Sequence, residues 1–269
     1  MDYNECNEDE VDTKHATAIP RSVSDKMYNS IVRINMNNSQ GTGFFMKATI
    51  RGIRYKYLLT NYHVIKQEDV DSKKEFTFYY GEKDNETMKI IQLDKNKRFI
   101  KCFNKPKDVT LIQIIESDEI PENKYLYPDL NYKNNFNDYL KENFCLAGYP
   151  SSDIFKNESH ISSGKISKIV NFEFEHTLDT RGGSSGSPIC LLHNQNIIGI
   201  HKSGNPYTHF NQGTFIGKIL DILEEQDSYD ISSLKLIKTI NNNCYIKSLI
   251  ILNDGRPCIY DIQQNVKIF

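Results

Sequence analysis

No apolar run in this chain approaches the roughly 20 residues of a membrane-spanning helix. The mean hydropathy is −0.56, and no membrane partner is expected. Neither sign of charge is in surplus: 33 Lys and Arg face 35 Asp and Glu, for a formal net charge of −2. A generic polyanion binder carries a basic excess, so nucleic acid is not expected as a partner either. The six cysteines (Cys6, Cys102, Cys145, Cys190, Cys244 and Cys258) form no CxxC pair. That excludes zinc-knuckle and dithiol redox motifs. The seven histidines are scattered and no HExxH occurs, so neither a metal nor a cofactor is expected. The opening MDYNECNEDEVD is acidic and polar, unlike a secretory signal or a transit peptide. The expectation is a cytoplasmic location, with free thiols in a reducing compartment.

What is present suffices for a packed core. Hydrophobic residues make up 38% and aromatics 11% of 269 residues. This rules out wholesale disorder and allows one large domain or two small ones. Residues 1–22 read as a polar tail with a break at Pro20. Beyond them, Val32, Ile34 and Met36 alternate with Arg33 and Asn35, the period of a half-buried strand. Similar short runs follow at 41–50, 55–60, 76–80, 108–114, 143–149, 188–192 and 196–201. Turn formers and charges separate them, the pattern of an all-β barrel or sandwich. The polar, Asn-rich stretch 116–142 reads as a connection between two β units. In 215–226, Ile216, Ile219, Leu220 and Leu223 share one face at helical spacing, which predicts an amphipathic helix. Residues 227–269 return to strand-like runs around an Asp254-Gly255 turn.

Three segments carry chemistry: LLTNYHV with His63, KDVTLIQI with Asp108, and DTRGGSSGSP with Ser185. A serine hydroxyl is a poor nucleophile at neutral pH and needs a base within hydrogen-bond reach, for which imidazole has a suitable pKa. The imidazole in turn needs a group that fixes its tautomer and stabilises its protonated form, and a buried carboxylate does both. Glycines before the serine let the backbone turn so that amides converge on one point. The N–H groups of Gly183 and Ser185 are therefore assigned to hold a tetrahedral oxyanion. Any one of these residues alone is more often a cap, a turn or a solvated side chain. Their strength lies in occurring together, His63 after an apolar strand, Asp108 before another, and Ser185 in a glycine-bracketed turn.

The segments GTGFF, LLTNYHV, DVTLIQI, GYPS, SSGKI, DTRGGSSGSP and IIGIHKSG resemble, in order, those of trypsin-like serine endopeptidases. The flavour is that of the V8-like group, which includes the glutamyl endopeptidases. The resemblance covers about residues 25–226. It implies an all-β, chymotrypsin-like fold of two packed six-stranded antiparallel barrels with the site between them. The protease domain would be 23–226: a first barrel (about 26–115) with His63 and Asp108, the linker 116–142, a second barrel (about 143–214) with Ser185, and a helix at 215–226. Gly41 and Gly43 of GTGFF are read as structural, permitting close backbone approach. The implied reaction is hydrolysis of a polypeptide substrate through an acyl-enzyme on Ser185.

Specificity stays open between two readings. Thr180 and His201 match positions with which glutamyl endopeptidases contact an acidic side chain, and a histidine there can donate to a carboxylate or amide. The IIGIHKSG strand, ending at Gly204, would form the other wall. Asp179 instead lies where trypsin-like enzymes keep a pocket-floor carboxylate that selects Arg or Lys. The alternatives to a protease are a catalytically silent binding or scaffold module and an ester hydrolase. The segment SLIILNDGR…YD…VKIF is similar to a single WD-type propeller repeat, though without the Gly-His opening and with Phe269 in place of Trp. A lone repeat cannot bury its own faces, so 227–269 reads as a short β-rich extension and a place for a protein partner.

Overall fold

The computed structural model describes residues 19–36, 39–50, 53–81, 85–133, 135–151, 158–204, 210–232, 235–242, 245–251, 257–261 and 266–267. Cys6, Cys244, the Asp254-Gly255 turn and Phe269 lie outside them. So do residues 1–18 of the expected N-terminal tail. Helix α1 (Arg21–Ser30) begins directly after Pro20, whose carbonyl accepts from Val23 N and Ser24 N at 3.0 and 3.1 Å. Pro20 starts a helix here because its fixed φ and missing N–H suit a helix entry. Val23 and Met27, one turn apart, are the buried apolar residues of that helix.

The first half of the chain forms a seven-stranded antiparallel sheet. Its strands are β1 (Ile31–Met36), β2 (Ser39–Ile50), β3 (Ile53–Thr60), β4 (Glu75–Tyr80), β5 (Thr87–Gln92), β6 (Ile100–Phe103) and β7 (Val109–Gln113), in the order β5-β4-β1-β2-β3-β7-β6. A five-residue helix α2 (Gln67–Asp71) lies between β3 and β4. Val32, Ile34 and Met36 are buried together beside Phe45, Leu58 and Phe78, but the strand is not half-buried: Arg33 on the other face is buried as well, paired with Glu86 at 2.7 Å. Phe44 and Leu59, opposite each other in β2 and β3, face a second cluster that continues into the other half of the molecule. A Cβ on Gly41 would lie 2.8 Å from Val64 side-chain atoms, and one on Gly43 2.8 Å from the Leu59 carbonyl oxygen. At both places an added side chain would force a neighbour to move.

The second half repeats the architecture. Its strands are β8 (Phe144–Gly148), β9 (His160–Gly164), β10 (Ile166–Val170), β11 (Glu173–His176), β12 (Pro188–Leu191), β13 (Ile197–Gly204) and β14 (Asn211–Phe215), ordered β10-β11-β14-β13-β12-β8-β9. Each sheet therefore carries seven strands, one more than the six expected. The edge strands Thr87–Gln92 and Ile166–Val170 are largely exposed and lack clean apolar alternation. Between the halves, 116–142 is a connection of short 3-10 turns.

Helix α3 (Ile216–Ser232) follows β14 and runs past the expected end at 226. Ile216, Ile219, Leu220 and Leu223 are all buried, and the helix packs against β13. Fully burying each such side chain contributes about 1.5–3 kcal/mol. Beyond it, β15 (Lys235–Asn242), β16 (Tyr245–Ile251), β17 (Pro257–Asp261) and β18 (Val266–Lys267) form a separate four-stranded antiparallel meander. Cys102, Cys145 and Cys190 are free thiols. No helix among the described residues is long and apolar enough to cross a membrane.

Candidate active site

His63 lies just beyond the C-terminal end of β3, and Asp108 immediately precedes β7, which pairs with β3. Strand pairing thus brings residues 45 apart in sequence together. Asp108 Oδ2 lies 2.8 Å from His63 Nδ1, and Asp108 Oδ1 accepts from the His63 backbone N–H at 3.0 Å. A carboxylate only accepts, so in the neutral ring Nδ1 carries the proton and Nε2 keeps its lone pair. The Asp108 side chain is 6% exposed and that of His63 40%, so the carboxylate is dry while the ring remains accessible. Asp108 has φ +56, a left-handed backbone that Asp tolerates better than most residues. Asn61 Nδ2 donates to its carbonyl at 2.8 Å.

Ser185 sits in the turn before β12. Gly183 (φ +86) and Gly186 (φ +91) bracket it in backbone conformations that favour glycine. Space imposes the same choice. A Cβ on Gly183 would lie 2.5 Å from the Tyr149 carbonyl oxygen, and one on Gly186 2.0 Å from that of Thr42. The N–H groups of Gly183 and Ser185 meet no acceptor among the described residues. Ser185 Oγ donates to the Lys202 carbonyl on β13 at 3.3 Å. It makes no hydrogen bond with His63 among the described residues.

Thr42, a residue that sequence reading passed over between its two glycines, joins the halves. Its N–H donates to the Ser185 carbonyl at 2.8 Å and its hydroxyl to the Gly183 carbonyl at 2.8 Å. The same hydroxyl accepts from Tyr149 N at 2.9 Å. Its carbonyl accepts from the Thr60 hydroxyl at 2.7 Å. The only hint in the sequence is a polar residue held between two glycines at the start of an apolar strand.

The candidate specificity residues do not fall in one place. Asp179 and Thr180 line a small cavity with His160, Arg181 and Ser184, beside the Ser185 turn. Ser162 Oγ caps the Asp179 carbonyl at 3.0 Å. His201 is not part of that cavity. It is buried on β13, and Gly204 stands exposed at the end of the same strand. His201 Nδ1 lies 3.2 Å from Nε2 of His176, a second buried histidine that no motif marked. Burial, and then the nearby His63, push the pKa of His201 down to about 3. Burial, with His201 alongside, holds His176 well below the ordinary value. Both rings are neutral near pH 7.

That neutrality sets a pH dependence. The unfolded chain protonates these histidines near pH 6.5, whereas the folded chain holds His201 neutral down to about pH 3. Between those values the unfolded state binds more protons, so stability falls as the pH falls. Urea titrations at pH 7.5 and 5 are expected to show a lower midpoint at pH 5, and His201→Gln to shrink that difference. An unchanged difference in the variant would contradict the buried pair.

Two curled antiparallel sheets, an imidazole–carboxylate pair on one and a glycine-bracketed serine on the other define a chymotrypsin-like double barrel. Residues 41–200, more than half of the chain, match the trypsin-like peptidase domain family. The chain belongs to that family. Among curated proteins, a glutamyl endopeptidase of Staphylococcus aureus (strain MRSA252) is 32% identical over 99 residues, 37% of this chain and 27% of that protein. The glutamyl endopeptidase of strain MW2 is 33% identical over 98 residues, 36% of this chain and 29% of the relative. The match thus spans little more than a quarter of these relatives. Solved structures also share the fold. The serine endoprotease from Yersinia pestis has a TM-score of 0.54 at 12% identity, covering 91% of this chain and 98% of that one. The inactive form of the Rv3671c protease has a TM-score of 0.51 at 15% identity, covering 78% and 98%. The resemblance read from the motifs to trypsin-like serine endopeptidases, V8-like enzymes among them, stands.

Proposed function

We propose that this chain is a serine endopeptidase that cleaves polypeptides through an acyl-enzyme, with Ser185 as nucleophile, His63 as general base and Asp108 as the group that orients it. The supporting observations are the doubly hydrogen-bonded His63–Asp108 pair and the N–H groups of Gly183 and Ser185, which meet no acceptor among the described residues. In this mechanism the Ser185 hydroxyl leaves the Lys202 carbonyl for His63 Nε2. Catalytic hydrogen bonds often form only when substrate is bound. Ser185 Oγ then attacks the scissile carbonyl as His63 takes its proton. The amides of Gly183 and Ser185 hold the oxyanion, and His63 returns the proton to the leaving amine. Water, deprotonated by the same ring, releases the acid product and regenerates Ser185.

For specificity we favour Glu or Gln before the scissile bond. The glutamyl endopeptidase relatives and His201 support this reading. Because the ring is neutral, it discriminates by hydrogen bonding rather than by charge. Proteome-wide cleavage mapping with active enzyme, beside a Ser185→Ala control, tests both levels. Cleavage after Glu or Gln that disappears in the control is expected. Cleavage mainly after Lys or Arg would assign the pocket to Asp179, and no Ser185-dependent cleavage would defeat the protease reading.

A further inference from the structure

Lys202 carries a charge into the interior beside the site. Its side chain is 9% exposed. It stands at a β-bulge, where β13 has one residue more than β14 between His201 and Ser203. A bulge re-aims side chains, and here two successive ones, His201 and Lys202, are both buried. A buried ammonium is tolerated only when it is paired. Lys202 Nζ pairs with the Glu173 carboxylate from β11. It also donates across the cleft to the Pro106 carbonyl at 2.9 Å.

Pro106 opens the turn that ends in Asp108. The next carbonyl, of Lys107, accepts from the Thr214 hydroxyl on β14 at 2.7 Å, and the next, of Asp108 itself, accepts from Asn61. Three successive carbonyls are therefore each held by a side chain, two of them reaching over from the second sheet. The left-handed backbone of Asp108 is the kind of conformation that persists only where its surroundings over-determine it. The Lys202 carbonyl meanwhile accepts the Ser185 hydroxyl. One residue thus touches the turn of the acid with its side chain and the nucleophile with its backbone.

We propose that Lys202 is a positioning residue: its ammonium, neutralised by Glu173, clamps the Pro106–Asp108 turn so that Asp108 and His63 stay in register with Ser185. This rests on the triad reading above. Loosening the clamp misdirects the imidazole while the Lys202 backbone stays in its strand, so the loss falls on kcat rather than KM.

The test compares wild type with Lys202→Met, Lys202→Arg, Glu173→Gln and Ser185→Ala, measuring kcat and KM on a cleaved peptide and the rate of labelling by a fluorophosphonate. Lys202→Met is expected to lower kcat about 10- to 100-fold, the scale of a displacement near 1 Å, with KM nearly constant. Lys202→Arg, which keeps the cation, is expected to recover most of that loss. Glu173→Gln is expected to lower kcat by a smaller factor. A folded Lys202→Met enzyme with wild-type kcat, or Met and Arg variants equally impaired, overturns the proposal. If Lys202→Met does not fold, Glu173→Gln decides: reduced kcat at constant KM supports the clamp, and unchanged kcat overturns it. The underlying reading fails separately, if wild type resists the fluorophosphonate or Ser185→Ala keeps full turnover.

Discussion

Ser185→Ala is expected to lower kcat by about 10⁴–10⁶ while leaving the protein folded. The hydroxyl contributes one long hydrogen bond, 3.3 Å to the Lys202 carbonyl. The turn around it is held instead by backbone and neighbours: Thr42 on the Ser185 and Gly183 carbonyls, Ser187 N on the Ser184 carbonyl, and Gly186 N on the His201 carbonyl. Alanine keeps the backbone N–H, so the two free amides persist, and they account for the residual rate expected above that of water. Thermal unfolding should superimpose on that of wild type, while peptide turnover and fluorophosphonate labelling collapse. Near-normal turnover in this variant would remove Ser185 from the mechanism.

Asp108→Asn should cost about 10⁴ in kcat by a different route. Asp108 accepts two hydrogen bonds from His63, one from the backbone N–H and one from Nδ1. Asparagine offers one acceptor oxygen. The backbone N–H is a fixed donor, so that oxygen stays on it and the amide NH₂ faces the ring. Nδ1 must then become the acceptor, its proton moves to Nε2, and the lone pair needed to deprotonate Ser185 is lost. The geometry survives while the tautomer is wrong. Kinetics with imidazole ¹⁵N NMR checks both halves: lost turnover with the Nε2–H tautomer is expected, and retained turnover would show that Asp108 does not orient the base.

The parts of this site that local pattern encodes were readable without coordinates. His63 follows an apolar strand, Asp108 starts another, and the glycines around Ser185 occupy a turn that both backbone angle and close approach demand. The helix at Ile216 was readable because its apolar residues fall at helical spacing, whereas α1 was not, because Val23 and Met27 alone give too faint a stripe. The exposed hairpin strands escaped for a related reason, since a strand with little buried surface has little alternation to detect. Harder to see were Thr42, His176 and Lys202, polar residues whose side chains find their partners 25 to 141 positions away. Their meaning comes from burial, and burial of a polar group is set by tertiary partners that a one-dimensional period does not name. Lys202 in a strand ending in polar residues reads as solvated until the bulge turns it inward.

The bonds that Thr42 makes have a bearing on the order of events in synthesis. The nucleophile's loop is finished by a residue from the opposite half, so neither half assembled alone holds the serine, the free amides and the base together. The first half leaves the ribosome with an imidazole and nothing to activate, and the second arrives with a serine whose backbone still awaits its outside anchor. On the proposed reading, a cleaving site exists only once both halves have closed on each other.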